Sequence, residues 1–165
     1  MAKVLVIDYE KCTGCRICEQ VCTVKHEGVV NPARSRIRII KWEQEGRYVP
    51  MVCQQCESAP CQSICPVKAI SRDENLNRVM VDYDICLGCR MCVATCPFGG
   101  MSFDPLAQKV IKCDFCDGDP QCVKFCEENV IQYVDASTQS LEKQIAIAEK
   151  FSGTMRKVAA AIASI

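Results

Sequence analysis

Residues 11–22 read KCTGCRICEQVC, with four cysteines spaced C-x2-C-x2-C-x3-C. Residues 86–96, CLGCRMCVATC, repeat that spacing. Two looser relatives hold the rest, so all sixteen cysteines fall into four groups. The first is Cys12, Cys15, Cys18 and Cys22, and the second is Cys53, Cys56, Cys61 and Cys65. The third is Cys86, Cys89, Cys92 and Cys96, and the fourth is Cys113, Cys116, Cys122 and Cys126. The second and fourth open the middle gap, to C-x2-C-x4-C-x3-C and C-x2-C-x5-C-x3-C.

The repeat extends beyond the cysteines. IDYEKCTGCRIC aligns with VDYDICLGCRMC, pairing Asp8 with Asp82, Tyr9 with Tyr83, Gly14 with Gly88 and Arg16 with Arg90. Groups two and four both carry a proline shortly before the third cysteine and continue into VKAI and ENVI, short strand signals. The chain therefore reads as a duplicated unit. A β-branched stretch precedes each first cysteine: VLVID, YVPMV, VMVDY and KVIK. Gly14 and Gly88 suit tight loops that need positive φ. The fourth cysteine follows the third by four residues, one turn of a short helix.

In 165 residues, twenty basic side chains balance twenty acidic ones, and there is one histidine. Basic residues are not concentrated, which argues against nucleic-acid binding. The N-terminus MAKVLVIDYEKC has no apolar core region and no cleavage site of a secretion signal. The longest charge-free stretch near the C-terminus, VAAAIASI, is far short of the roughly 20 apolar residues of a membrane span. The expected setting is a reducing, cytoplasmic compartment, where clustered cysteines read as metal ligands rather than disulfides.

Soft thiolates select iron–sulfur clusters, zinc or copper(I). Structural zinc sites generally use two C-x2-4-C knuckles, without a systematic third cysteine two residues on. Three thiols on one tight loop suit three corners of a four-iron cube. In two-cluster bacterial ferredoxins, the fourth cysteine of C-x2-C-x2-C-x3-C-P ligates the other cluster. Sixteen cysteines at four per cluster predict four 4Fe–4S clusters. Proline follows Cys65 and Cys96 but not Cys22 or Cys126, so groups two and three are expected to pair, leaving one and four. The expected ligand sets are Cys12, Cys15, Cys18 with Cys126; Cys113, Cys116, Cys122 with Cys22; Cys53, Cys56, Cys61 with Cys96; and Cys86, Cys89, Cys92 with Cys65.

Over about residues 3–134 the chain resembles the four-cluster ferredoxin-type electron-transfer subunits of molybdenum and tungsten oxidoreductases. CTGCRICEQVC, NPARSRIRI, CQQCESAPCQSICP, CLGCRMCVATCPFG and KCDFCDGDPQCVKFC carry the resemblance. It implies that outer motifs pair with each other and inner motifs likewise. The compact size and NPARSRIRI are most similar to small iron–sulfur subunits of tungsten-dependent aldehyde oxidoreductases. The implied partner is a tungsten or molybdenum pterin catalytic subunit, with a flavin subunit as a further candidate. A free polyferredoxin, or the relay subunit of a formate dehydrogenase, hydrogenase or carbon monoxide dehydrogenase, is the alternative.

The expected fold is α+β: two bacterial-ferredoxin-like modules related by duplication, an inserted β-hairpin and a C-terminal helix. Residues 1–30 with 107–134 form the outer module, 31–52 the hairpin, 53–106 the inner module, and 135–165 a helix for docking or self-association. In the hairpin, Ile37 and Ile39 alternate with Arg36 and Arg38. The hairpin is read as an ordinary surface element; the alternative is a contact surface for a catalytic partner anchored by Arg34, Arg36, Arg38 and Trp42, since interfaces favour Arg and Trp. His26 is read as a loop histidine with a structural or solvated role. Tyr9, Tyr83 and Phe115 are expected to pack around the clusters, and Lys11, Arg16, Arg90 and Lys112 to favour their reduced state. No dinucleotide fingerprint and no nucleophile–base pair is evident, so no catalytic residue is expected. Sixteen thiolates and four oxidised cubes would bring the assembled charge to roughly −8.

Overall fold

A computed structural model describes residues 3–137. The expected helix over 135–165 lies almost wholly outside the described residues. Residues Leu5–Tyr133 form one compact unit; Lys3, Val4 and residues 134–137 are the described part of a second.

The β-branched stretches before the four motifs become strands β1 (Lys3–Ile7), β3 (Arg47–Val52), β5 (Arg78–Val81) and β7 (Lys109–Lys112). Each pairs with one partner. Strand β1 pairs with β8 (Ile131–Asp135), and β2 (Ile37–Trp42) with β3; β4 (Ile70–Asp73) pairs with β5, and β6 (Met101–Asp104) with β7. The last three pairs are antiparallel, with Ile37 opposite Val52, Ile70 opposite Val81 and Met101 opposite Lys112. Helices α1 (Ile17–Glu27), α2 (Pro60–Ser63), α3 (Met91–Thr95) and α4 (Gln121–Lys124) follow the cysteine loops. Each contains the third cysteine of its motif; α1 also holds the fourth, and the other three fourth cysteines lie just past a helix end.

The two halves run through the same order of elements: strand, cysteine loop, helix, hairpin, cysteine loop, helix, strand. Hairpin β2–β3 in the first half thus has its counterpart in β6–β7. Local geometry matches as well. Asp8 N–H donates to Val130 O at 2.8 Å, as Asp82 N–H donates to Ala69 O at 2.7 Å.

Apolar residues sort into two cores. One gathers Ile37, Ile39, Val52, Phe115 and Ile131 with buried Cys18, Cys22, Cys113 and Cys122. The other gathers Ile70, Val79, Val81, Met101 and Val110 with Cys61 and Cys92. Buried cysteines of motifs one and four thus lie in one core and those of motifs two and three in the other, with Cys53 of motif two packed against the first. Ile37 and Ile39 are buried while Arg38 faces water, as a half-buried strand requires.

Candidate metal centre

Four cavities, all within the compact unit, gather the cysteines. The first is lined by Cys12, Cys15, Cys18 and Cys126. Cys113, Cys116, Cys122 and Cys22 line the second. The third is lined by Cys53, Cys56, Cys61 and Cys96, and the fourth by Cys86, Cys89, Cys92 and Cys65. Every cavity takes three cysteines from one motif and the fourth from another, and all sixteen thiols are free of disulfides.

In the first and third motifs, backbone conformation shapes the cysteine loop and leads it into the helix that carries the third thiol. Gly14 has φ +72, and a Cβ there would meet the Tyr48 ring at 2.6 Å. Gly88, its counterpart, has φ +65, and a Cβ would meet Gln108 O at 2.8 Å. Arg16 and Arg90 follow in the left-handed region, at φ 64 and 66, and turn the chain into α1 and α3. Three of the four fourth cysteines are held by backbone donors. Arg36 N–H donates to Cys22 Sγ at 3.4 Å, Ala69 N–H to Cys65 Sγ at 3.2 Å and Val130 N–H to Cys126 Sγ at 3.3 Å. Such donors favour the thiolate.

Burial opposes it. It pushes the Cys18 and Cys113 thiols up to about 12 and Cys92 to about 11, and raises Cys122 further. Cys61 is also raised by burial, with the Lys112 charge the largest force holding it down. Cys22 is the exception: burial resists, yet hydrogen bonds from His26, the Arg36 N–H and Ser35 outweigh it and lower the thiol. Buried thiols of this kind are held as thiolates by a bound cation. The donor set is all soft sulfur, which suits iron–sulfur chemistry. Arg36 lines the second cavity, and its Nε is buried without an acceptor among the described residues, which leaves a donor available to an anionic sulfur-bearing group.

Several expected roles change. Arg34 and Arg36 are engaged in ion pairs within the chain. Arg34 pairs with Asp104 at 2.5 Å and Glu27 at 2.7 Å, and Arg36 with Asp114 at 2.5 Å, so both guanidiniums point into the fold. Arg38 and Trp42 remain at the surface. His26 lies in α1 rather than in a loop, between Cys22 O at 2.9 Å and the Asp114 carboxylate at 3.0 Å. Burial disfavours its charge, but Asp114 raises it to about 9. Phe115 is buried in the first core and Tyr83 packs on the second, whereas Tyr9 is 51% exposed and lines none of these four cavities. Lys11 pairs with Asp8, Arg16 with Glu19, and Arg90 stacks on Phe103; only Lys112 of the four expected cations is buried.

Residues that spacing does not single out complete the sites. Glu19, 1% exposed, accepts from Ile39 N–H at 2.7 Å and from Arg16 Nε at 2.6 Å. Gln55 spans from one cysteine loop to another, donating to Cys113 O at 2.7 Å. Its position between Cys53 and Cys56 is the one signal that could have marked it.

Residues 44–136 match the 4Fe-4S dicluster domain family, and residues 3–24 match a 4Fe-4S binding domain. The chain is 41% identical to the aliphatic sulfonate oxidoreductase, polyferredoxin-like subunit, of Pyrococcus furiosus, over 75% of this chain and 71% of that one. It is 37% identical to the putative electron transport protein YsaA of Escherichia coli, over 82% and 91%. The thiosulfate reductase electron transfer subunit PhsB of Salmonella typhi is 34% identical, over 79% and 74%. With its cysteine-lined cavities, the chain belongs to the 4Fe-4S dicluster domain family: it binds 4Fe–4S clusters and is a non-catalytic electron-transfer subunit of the oxidoreductase kind.

Proposed function

We propose that the chain relays single electrons through four 4Fe–4S clusters, one in each cavity, bound by the cysteine quartets that line them. The carrying observation is that each quartet joins three cysteines of one motif to the fourth of another. When bound, such clusters supply one-electron oxidation and reduction without breaking a substrate bond.

The protein supplies order and shielding. Helix α1 places Cys18 in the first cavity and Cys22, one turn on, in the second. Gln55, on the wall of the third cavity, bonds Cys113 O of the second. Helices α2 and α3 pack together, joining Cys61 of the third cavity to Cys92 of the fourth. The series therefore runs from the Cys12 cavity through the Cys113 and Cys53 cavities to the Cys86 cavity. Cys22, Cys113, Cys116 and Cys122 are all buried, whereas Cys15 and Cys89, the two exposed cysteines, belong to the end cavities. Electrons are proposed to enter and leave at these ends. Leu87, Ile85 and Met91 expose apolar surface beside Cys89, which suits a protein partner.

That partner is proposed to be a tungsten or molybdenum pterin catalytic subunit of the aldehyde oxidoreductase type, with a flavin subunit or another carrier at the opposite end, in a reducing cytoplasmic setting. The two modules, motifs one with four and two with three, are read as products of duplication; the repeated element order supports this. Among the described residues no helix is long and apolar enough to cross a membrane. The test is elemental analysis of the untagged protein, purified without oxygen with whatever accompanies it. Tungsten or molybdenum beside about 16 iron atoms per chain supports the proposal. Nickel would reassign the partner to a hydrogenase or carbon monoxide dehydrogenase, and iron with no partner would favour a free polyferredoxin.

A further inference from the structure

Lys112 is 3% exposed. Its Nζ donates to Gln55 Oε1 at 3.1 Å, to Cys113 O at 3.0 Å and to Val79 O. Three acceptors take all three N–H bonds of an ammonium group; a neutral amine would be one donor short. No carboxylate pairs with it among the described residues. Nearby acids are committed elsewhere: Asp114 to His26 and Arg36, and Asp73 and Asp117 to Arg78. A buried charge without a counter-charge is strongly unfavourable.

The surroundings name the counter-charge. Gln55 and Val79 are walls of the cavity that holds Cys53, Cys56, Cys61 and Cys96. Cys113 belongs to the cavity with Cys22, Cys116 and Cys122. Gln55 completes the link, donating to Cys113 O at 2.7 Å while its Oε1 accepts from Val79 N–H at 2.8 Å and from Lys112. An oxidised cube with four thiolates carries about −2, and one electron makes it about −3. A lysine fixed between two such sites gains attraction whenever either is reduced.

We propose that Lys112 is a positioning cation that raises the reduction potentials of the two central clusters together. Gln55 fixes it there, so the pair also ties the two ferredoxin-like modules electrically as well as mechanically. The inference rests on the cluster assignment proposed above.

The test is a redox titration of the full chain, reconstituted without oxygen and followed by electron paramagnetic resonance. Iron is counted first. A wild-type chain with fewer than four clusters refutes the assignment, whatever Lys112 does. With four present, Lys112→Met is expected to keep its iron and to move two of the four midpoint potentials negative. The expected size is at least a tenfold fall in the reduced-to-oxidised ratio at fixed potential, about 59 mV for a one-electron couple. Lys112→Arg, which keeps the charge, is expected to leave the potentials near wild type. Four unmoved potentials in Lys112→Met at full iron content would overturn the inference. If Lys112→Met does not hold iron, Gln55→Glu gives the reading instead. It keeps the lysine and adds a counter-charge, so the same two potentials fall; unmoved potentials there overturn the inference equally.

Discussion

Asp104 and Arg34 lie 70 residues apart in sequence and 2.5 Å apart in the fold. Asp104 is 2% exposed, and its other oxygen accepts from Leu106 N–H at 2.9 Å. Burial works against its charge, but the Arg34 guanidinium and these backbone donors hold the carboxyl below its ordinary 3.8. A depressed carboxyl stabilises the fold above its unfolded value and ceases to do so as pH falls through the folded one. Asp104→Asn is therefore expected to cost about 2 kcal/mol, read from denaturation midpoints. The gap to wild type should stay flat from about pH 5 to 8, where Asp104 is ionised both folded and unfolded. A gap that closes steadily between pH 8 and 5 would contradict this account. Arg36→Leu is a second test: it leaves Asp114 with His26 alone of its two ion-pair partners and is expected to cost about 2 kcal/mol, with faster loss of iron to a chelator. Iron loss at the wild-type rate would argue against the donor role of Arg36 Nε.

At the scale of elements, the cysteine loops depend on backbone shape as much as on thiols. Gly14→Ala meets the Tyr48 ring at 2.6 Å and also places a side chain at φ +72. It is expected to cost about 1–2 kcal/mol from the left-handed conformation alone, and to lower occupancy of the first cavity. Adding Tyr48→Ala should return part of that iron by removing the contact while leaving the backbone strain. No recovery would mean that the ring is not the obstacle.

Legibility in the sequence follows the range of each interaction. Strands before the motifs were readable, because β-branched runs act locally, and so was the left-handed loop glycine. The long reach of α1 was readable in principle too, since Gly28 at φ +70 is an ordinary C-terminal stop one residue after Glu27. That stop places His26 inside α1, not in a loop. The inward turn of Arg34 and Arg36 carries no local signature: their partners, Asp104 and Asp114, lie 70 and 78 residues away. Gln55 and Glu19 are obscure for the same reason, as polar residues made interior by contacts that only the assembled fold creates.

Across the whole molecule, the sixteen cysteines span only Cys12 to Cys126. A chain ending at Ser137 is accordingly expected to bind as much iron as the full protein, and a clear deficit would tie the later residues to the cluster sites. The proposed cross-motif ligation would make the fold and its metal mutually dependent, since each cavity takes cysteines from two distant segments. Removing iron is expected to loosen both cores together, because their walls include Cys18, Cys22, Cys113 and Cys122 in one and Cys61 and Cys92 in the other.

The most direct test of the central claim is the count of iron and acid-labile sulfide per chain after anaerobic reconstitution. Four cubes on sixteen thiolates predict about 16 of each. A chain that saturates with zinc alone, or holds about 8 iron atoms with the remaining thiols free to react, would contradict it.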